Sequence, residues 1–288
     1  ESVVIRLLDK ESVTLDFGAL GFDAESISTL ESVLKMPHGI ILVTGPTGSG
    51  KSTTLYTALS RLNSPDRKII TVEDPVEYQL NGINQIQVKP QIDLTFANAL
   101  RAIVRQDPDI IMIGEMRDLE TARIAVQSAL TGHLVMSTLH TNDAPGGIAR
   151  MMDMGIEDYL ITSTVNGILG QRLVRKLCPH CKEPHTILPE MARDIGLSQP
   201  SPDTAQSLYK AVGCKECAGT GYRGRLCLTE LLVMNDDIRR SIMQHANAAE
   251  IKKIAIQHGM ETMYKNGLRK VMAGVTTLEE VIRVTEEV

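Results

Sequence analysis

Residues 45–52 read GPTGSGKS, preceded by the apolar run IILVT (40–44) and followed by STTLYTALSRL (52–62). Gly45, Pro46, Thr47, Gly48, Ser49, Gly50, Lys51 and Ser52 satisfy the phosphate-loop pattern G-x-x-x-x-G-K-[ST] at every fixed position, and Thr53 continues into the helix. The residue types follow from the chemistry. Glycines let backbone N–H groups curl around phosphate oxygens, and the helix start adds its positive dipole end. Lys51 can reach the β- and γ-phosphates, and the Ser52 hydroxyl can ligate Mg²⁺. Switches, helicases, synthetases and mechanical motors all use such a loop, so the reaction stays open at this point.

Working outward, further apolar runs, KIITV (68–72), DIIMI (109–113) and HLVMST (133–138), alternate with amphipathic stretches at 52–62, 95–106 and 119–130. Continuous apolar strands separated by helices predict an α/β fold with a parallel sheet covered on both faces. Thr95 is the expected N-cap of its helix. Four segments are expected: a remnant of a preceding domain at 1–16, a phosphate-loop α/β core at 17–176, a cysteine-containing subdomain at 177–229 and a helical subdomain at 230–288. In the last, Asn247 with Glu250 and Thr276 with Glu279 fit capping boxes. The abrupt opening ESVVIRLLD reads as a strand already under way, and hence as a fragment of a longer chain. The 288 residues carry a net charge of −5, no Trp and three Phe. That balance disfavours nucleic-acid contact, which relies on clustered cations and stacking aromatics. With no apolar run of about 20 residues and no signal peptide, the expected compartment is the cytosol.

Two more strands end in acids, at the sheet edge where ligands of such folds bind. IITVEDPVEY places Glu73 there, and IIMIGEMRD places Glu115 there, with Gly114 in the slot where a metal-linked Asp is usual. Glu115 is expected to act near the metal through a water, and Glu73 to position or deprotonate the attacking water. The plain alternative for each is a solvated strand-end carboxylate. His140 emerges on the same edge and could sense the γ-phosphate, or be merely a surface residue. Arg101 and Arg105, spaced i and i+4, are either a clamp on phosphoryl charge or a solvated edge paired with nearby acids.

Cys178-Pro-His-Cys181 and Cys214-Lys-Glu-Cys217 form a C-x₂-C…C-x₂-C set, the usual means of placing four thiolates around a structural Zn²⁺. Disulfides are the competing account and are disfavoured in a cytosolic enzyme. Cys227 is expected to be a small buried residue.

Taken together, GPTGSGKSTTLY, TVEDPVEY, DPDIIMIGEMRD and TGHLVMSTLHTND resemble the secretion ATPase superfamily. The CPHCK…CKEC pair, GTGYRGR and TTLEEVIRVT narrow the resemblance to its assembly branch, with type II secretion ahead of type IV pilus assembly. The resemblance implies a RecA-like core, a tetracysteine zinc subdomain and a C-terminal helical subdomain. It further implies ATP, Mg²⁺ and Zn²⁺ as cofactors, a homo-hexameric ring in the full-length protein, and attachment to inner-membrane partners on the cytoplasmic face. By motif, it places Glu73 in an acidic box, Glu115 in the Walker B position and His133 and His140 in a histidine box. Arg101 and Arg105 match arginines near the phosphates, and Arg6 matches one delivered from the N-terminal domain.

Overall fold

The computed structural model describes residues 15–187 and 206–285. Arg6 and the SQPSPD stretch at 198–203 lie outside the described residues. Two short helices, α1 (Phe17–Leu20) and α2 (Ala24–Leu34), lead into β1 (Gly39–Thr44), the phosphate loop and α3 (Lys51–Leu62). The alternation continues with β2 (Ile69–Glu73), β3 (Asn84–Gln87), α4 (Phe96–Ile103), β4 (Ile110–Ile113), α5 (Leu119–Leu130) and β5 (Leu134–Leu139). Then come α6 (Ala144–Asp153), α7 (Asp158–Thr164), β6 (Val165–Leu177), β7 (Glu183–Ile187), β8 (Gln206–Lys210) and β9 (Tyr222–Val233).

The main sheet has the order β3-β2-β4-β5-β1-β6-β9, all parallel except for β9, which runs antiparallel to β6. Strands β1, β2, β4 and β5 are buried along their whole length, as their unbroken apolar runs require. Alternate residues of β1 serve opposite faces. Ile40 and Leu42 join Leu100, Ile103, Val126 and Ile148 beneath α4–α7, while Ile41 and Val43 join Phe17, Val33, Tyr56 and Leu59 beneath α1–α3. The strand tips therefore converge on one edge, where β1 delivers the phosphate loop. Thr95 caps α4 by accepting from Asn98 N at 3.2 Å, as expected.

β9 is a sheet strand from end to end, so a boundary at 229/230 falls inside an element. The sequence shows only the turn-rich GTGYRGR, which hides that its continuation pairs with β6 more than forty residues earlier. Beyond β9 the described residues form four helices, α8 (Asp236–Met243), α9 (Ala248–Gln257), α10 (Met263–Met272) and α11 (Leu278–Val284). The Asn247–Glu250 capping box is present on α9. On α11, however, the cap is Thr277, which accepts from Glu280 N, and not Thr276, whose hydroxyl instead donates to Arg175 O at 2.8 Å. Glu280 is buried at the base of α11, where its carboxylate accepts from Arg175 N and Nη2 and from Arg283 Nε and Nη2 at 2.8–2.9 Å. Burial alone would raise this carboxyl; the bonds from Arg283 and Arg175 override it and hold it at about 2. That anchor fixes the last helix against β6, beside the phosphate loop.

Candidate nucleotide site and metal centre

Gly45 opens the loop with φ +149°, and a Cβ there would stand 2.4 Å from Gln171 O on β6. Only glycine lets the loop lie this close to the neighbouring strand. Gln171, fully buried, donates from Nε2 to Ser49 O at 2.7 Å and holds the loop open from beneath. The N-cap of α3 is Gly50, which has no side-chain cap, so no side-chain oxygen occupies the first-turn amides. The buried Ser49 hydroxyl and Gln171 Oε1 likewise find no hydrogen-bond partner among the described residues. Lys51 Nζ donates to Gly45 O at 2.7 Å and Pro46 O at 3.0 Å, which holds the ammonium over the loop. Burial pulls the Lys51 pKa below its usual range, opposed by the charge of Glu115 and assisted by that of Arg172. A cleft of about 420 Å³ opens beside the loop, with Arg172, Leu173, Ile282 and Arg283 on its other walls. Free amides, a placed ammonium and a cleft of ordinary ligand size suit a polyphosphate.

The two strand-tip acids have different surroundings. Glu115 is 17% exposed; Oε1 meets His140 Nε2 at 2.9 Å and Oε2 meets Arg117 Nη2 at 2.8 Å. Glu115 is thus paired with both His140 and Arg117, and its charge also bears on Lys51. Gly114 explains the missing Asp of the usual pattern. A Cβ there would lie 3.2 Å from Glu73 Cα and 3.3 Å from Val72 O, so a side chain would press on the backbone of β2, which would have to give by a few tenths of an ångström.

Glu73 is 4% exposed and turned into the protein. Its Oε2 accepts from the Tyr56 hydroxyl, and its Oε1 accepts from Thr71 Oγ1 at 2.5 Å and Gln85 Nε2 at 3.2 Å. Burial and this bond push the Tyr56 phenol far above its usual range. In this arrangement both carboxylate oxygens of Glu73 are already occupied. Tyr56→Phe is expected to cost about 1–3 kcal/mol, because it strips a donor from a buried carboxylate. Urea unfolding would measure it, and an unchanged midpoint would mean that water reaches Glu73.

The remaining residues separate clearly. Arg101 is exposed, donating to Asn98 Oδ1 at 2.9 Å and paired with Glu120 on α5. Helix α4 ends at Ile103, so Arg105 lies in the following 3₁₀ turn and does not share a helix face with Arg101. Neither lines the cleft beside the loop, and neither do Glu115 and His140, which stand at the adjoining strand tips. His133 sits at the far end of β5, its Nδ1 2.8 Å from Ser128 O, in a structural role.

The four cysteine sulfurs lie within 4.8 Å of one another. Sγ–Sγ distances are 3.9 Å for Cys178–Cys214 and 3.8 Å for both Cys181–Cys217 and Cys214–Cys217. Four thiolates at a tetrahedral Zn–S distance of about 2.3 Å stand about 3.8 Å apart, so the set fits zinc. Backbone N–H groups of Gly213, Cys214 and Gly221 donate to Cys181 and Cys217 sulfurs at 3.1–3.3 Å, as suits thiolates. Cys227 is buried in the sheet core, away from this set.

The family model for type II/IV secretion system proteins matches residues 1–283. The chain belongs to that family. Among relatives within it, the type II secretion system protein E of Xanthomonas campestris is 63% identical over the whole chain, which spans 50% of that protein. The type II secretion system ATPase E of Vibrio cholerae is 53% identical, again over the whole chain and 56% of its own length. The type IV pilus assembly ATPase PilB of Myxococcus xanthus is 53% identical over 98% of the chain and 50% of its length. The chain therefore spans about half the length of these relatives. Among solved structures, the pilus retraction motor PilT with bound ADP superposes with a TM-score of 0.73 at 31% identity, over 98% of this chain and 69% of that one.

Three residues around the phosphate loop went unread in the sequence: Gln171, which holds the loop from beneath, and Arg172 and Arg283, which line the cleft. Gln171 and Arg172 lie on β6, whose mixed stretch VNGILGQRLVRKL lacks the unbroken apolar signature of the other strands. Arg283 approaches from a helix more than 230 residues beyond the loop. Nothing local marks any of the three.

Proposed function

We propose that the chain is the ATP-hydrolysing half of a type II secretion motor, which drives pseudopilus assembly for protein export. The observation that carries this reading is the uncapped phosphate loop with Lys51 held at Gly45 O and Pro46 O, together with the Glu115–His140 pair at the neighbouring strand tips. Loop amides and Lys51 bind the triphosphate. The Ser52 hydroxyl would hold Mg²⁺, which neutralises charge between the β- and γ-phosphates when bound. Glu115 orients the attacking water and accepts its proton, and His140 fixes the Glu115 carboxylate. Arg101, Arg105 and Arg6 act at the phosphates only in an assembled homo-hexamer, where neighbouring chains and the preceding domain complete the site. Glu73 serves chiefly to brace β2 through Tyr56. The motor works on the cytoplasmic face of the inner membrane, held there by platform proteins. No helix among the described residues is long and apolar enough to cross a membrane.

Assembly of a type IV pilus is the second reading, supported by the Myxococcus relative at 53% identity. A nucleic-acid translocase and an ATP-gated adaptor without turnover are the rivals from other classes. Phosphate release by the full-length protein, measured against protein concentration with and without DNA, separates them. The motor reading expects turnover that rises with assembly and ignores DNA. DNA-stimulated turnover would favour the translocase, and ATP binding without release would favour the adaptor.

A further inference from the structure

Glu230, on β9, is 3% exposed, and its carboxylate joins two helix starts. Oε1 accepts from Ala144 N at 2.7 Å, the first residue of α6, and Oε2 accepts from Met263 N at 3.2 Å, the first residue of α10. Both helices already have their own caps, Asp143 through Gly146 N and Thr262 through Lys265 N. Glu230 therefore takes the amides those caps leave, at the positive ends of two dipoles. The approach is built into β6 as well: a Cβ on Gly170 would stand 3.0 Å from both Ala144 N and Glu230 Cγ.

One of these arms leads to the nucleotide site. The residues before Ala144 form the turn that leaves β5, and this turn contacts the site at three points. His140 meets Glu115, Asn142 Oδ1 accepts from Arg172 Nη2 at 3.0 Å, and Asp143 O accepts from Thr44 Oγ1 at 3.3 Å, on the strand that feeds the phosphate loop. The other arm leads into the C-terminal helices. A cavity of about 250 Å³ lies between the two units here, walled in part by Asp143, Arg172, Lys252 and Met263. Packing is incomplete at this point, and the carboxylate spans it. A buried carboxylate is a costly choice for a simple cap, since burial disfavours its charge.

Resting on the ATPase reading, we propose that Glu230 is a positioning residue: it sets the 140–144 turn, and with it the Glu115–His140 pair, according to where the C-terminal helices stand. Displacement of those helices would then alter turnover without any contact with nucleotide.

The test is Met263→Pro in the full-length protein, compared with Met263→Ala. Proline at the first helical position removes the N–H that Glu230 accepts and sets its ring Cδ where the amide hydrogen stood, so the carboxylate must let go of this helix start, and both variants share the lost side chain. Thr262, with φ −71° and ψ 155°, already has the backbone that a residue before proline adopts. Relative to Met263→Ala, Met263→Pro is expected to lower kcat about tenfold with KM for ATP within twofold, and to speed amide exchange across 140–146 by about tenfold. Equal kcat and equal exchange in the two variants would reduce Glu230 to a local cap and overturn the inference, as would a lower kcat with exchange unchanged. The exchange measurement needs no turnover. An inactive wild type would therefore count against the ATPase reading, while the exchange rates still decided the role of Glu230. Should Met263→Pro fail to fold, Glu230→Gln, whose amide turns a donor toward one of the two N–H groups, gives the same two readouts against wild type.

Discussion

Glu115→Gln is expected to leave ATP affinity within about threefold of wild type and to lower kcat by at least about a hundredfold, the usual range for removing a general base. The substitution keeps the side chain's length and its acceptor toward Arg117, so the strand tip retains its shape. It removes the negative charge that opposes the depression of the Lys51 pKa, and it removes the group able to take a proton beside His140. Neither loss disturbs the loop amides, the Gln171–Ser49 bond or the hold of Lys51 on Gly45 O and Pro46 O, which set the shape of the phosphate loop. Binding and turnover should therefore separate cleanly. Equilibrium binding of a fluorescent nucleotide measures the first, and steady-state phosphate release measures the second. If Glu115→Gln turned over at the wild-type rate, Glu115 would be an electrostatic neighbour only. The water-positioning role would then pass to Glu73, which would have to leave Tyr56 and Thr71 to perform it.

Sequence pattern puts Glu73 and Glu115 alike at the ends of apolar parallel strands, and assigns the attacking water to Glu73 and the metal's neighbourhood to Glu115. What distinguishes them is which side chains arrive from elsewhere. Tyr56, one helix earlier, and Gln85, one strand later, close over Glu73; His140, from the next strand, reaches Glu115. Such pairings depend on sheet order, and no spacing rule encodes sheet order. The features with a local cause were legible. The phosphate loop, the four buried strands and the Thr95 and Asn247 caps each follow from residues that are neighbours in the chain. The cysteine set was legible too, because ligand chemistry imposes the C-x₂-C spacing locally even though the two halves lie far apart. Arg101 shows the opposite case: helical spacing located it correctly beside the apolar face, yet its partner, Glu120, is a property of the α4–α5 packing. Likewise β9 and the α11 wall of the cleft are products of the β6–β9 pairing and the Glu280 anchor, for which the sequence offers only a turn-rich loop and a charged helix.

Purified protein is expected to carry one zinc per chain, and stripping it with a chelator is expected to lower the midpoint of thermal unfolding by about 8–16 °C. The estimate takes a metal held at a thousand times its Kd, which contributes about 4 kcal/mol, at about 2–4 °C per kcal/mol for a domain of roughly this size. The reason for so large an effect is where the cysteines lie. Cys178 directly follows β6, Cys217 lies five residues before β9, and Cys178 N donates to Gly221 O at 2.9 Å. The four sulfurs therefore close the open end of the antiparallel β6–β9 pair. β6 is also the strand whose Gln171 holds Ser49 O of the phosphate loop, whose Arg172 lines the cleft beside it and whose Arg175 N–H donates to the Glu280 carboxylate of the last helix. Without a metal, the four thiols are held only by weak sulfur hydrogen bonds to one another and to a few backbone N–H groups, and fraying would start at Leu177 and Tyr222 and run toward the site. Cys178→Ser should reproduce the drop without chelator, whereas Cys227→Ser, outside the set, should leave zinc content unchanged. Elemental analysis beside the melting curve decides the matter. Protein without zinc that melts at the same temperature with and without chelator would reduce the tetracysteine cluster to a packing feature.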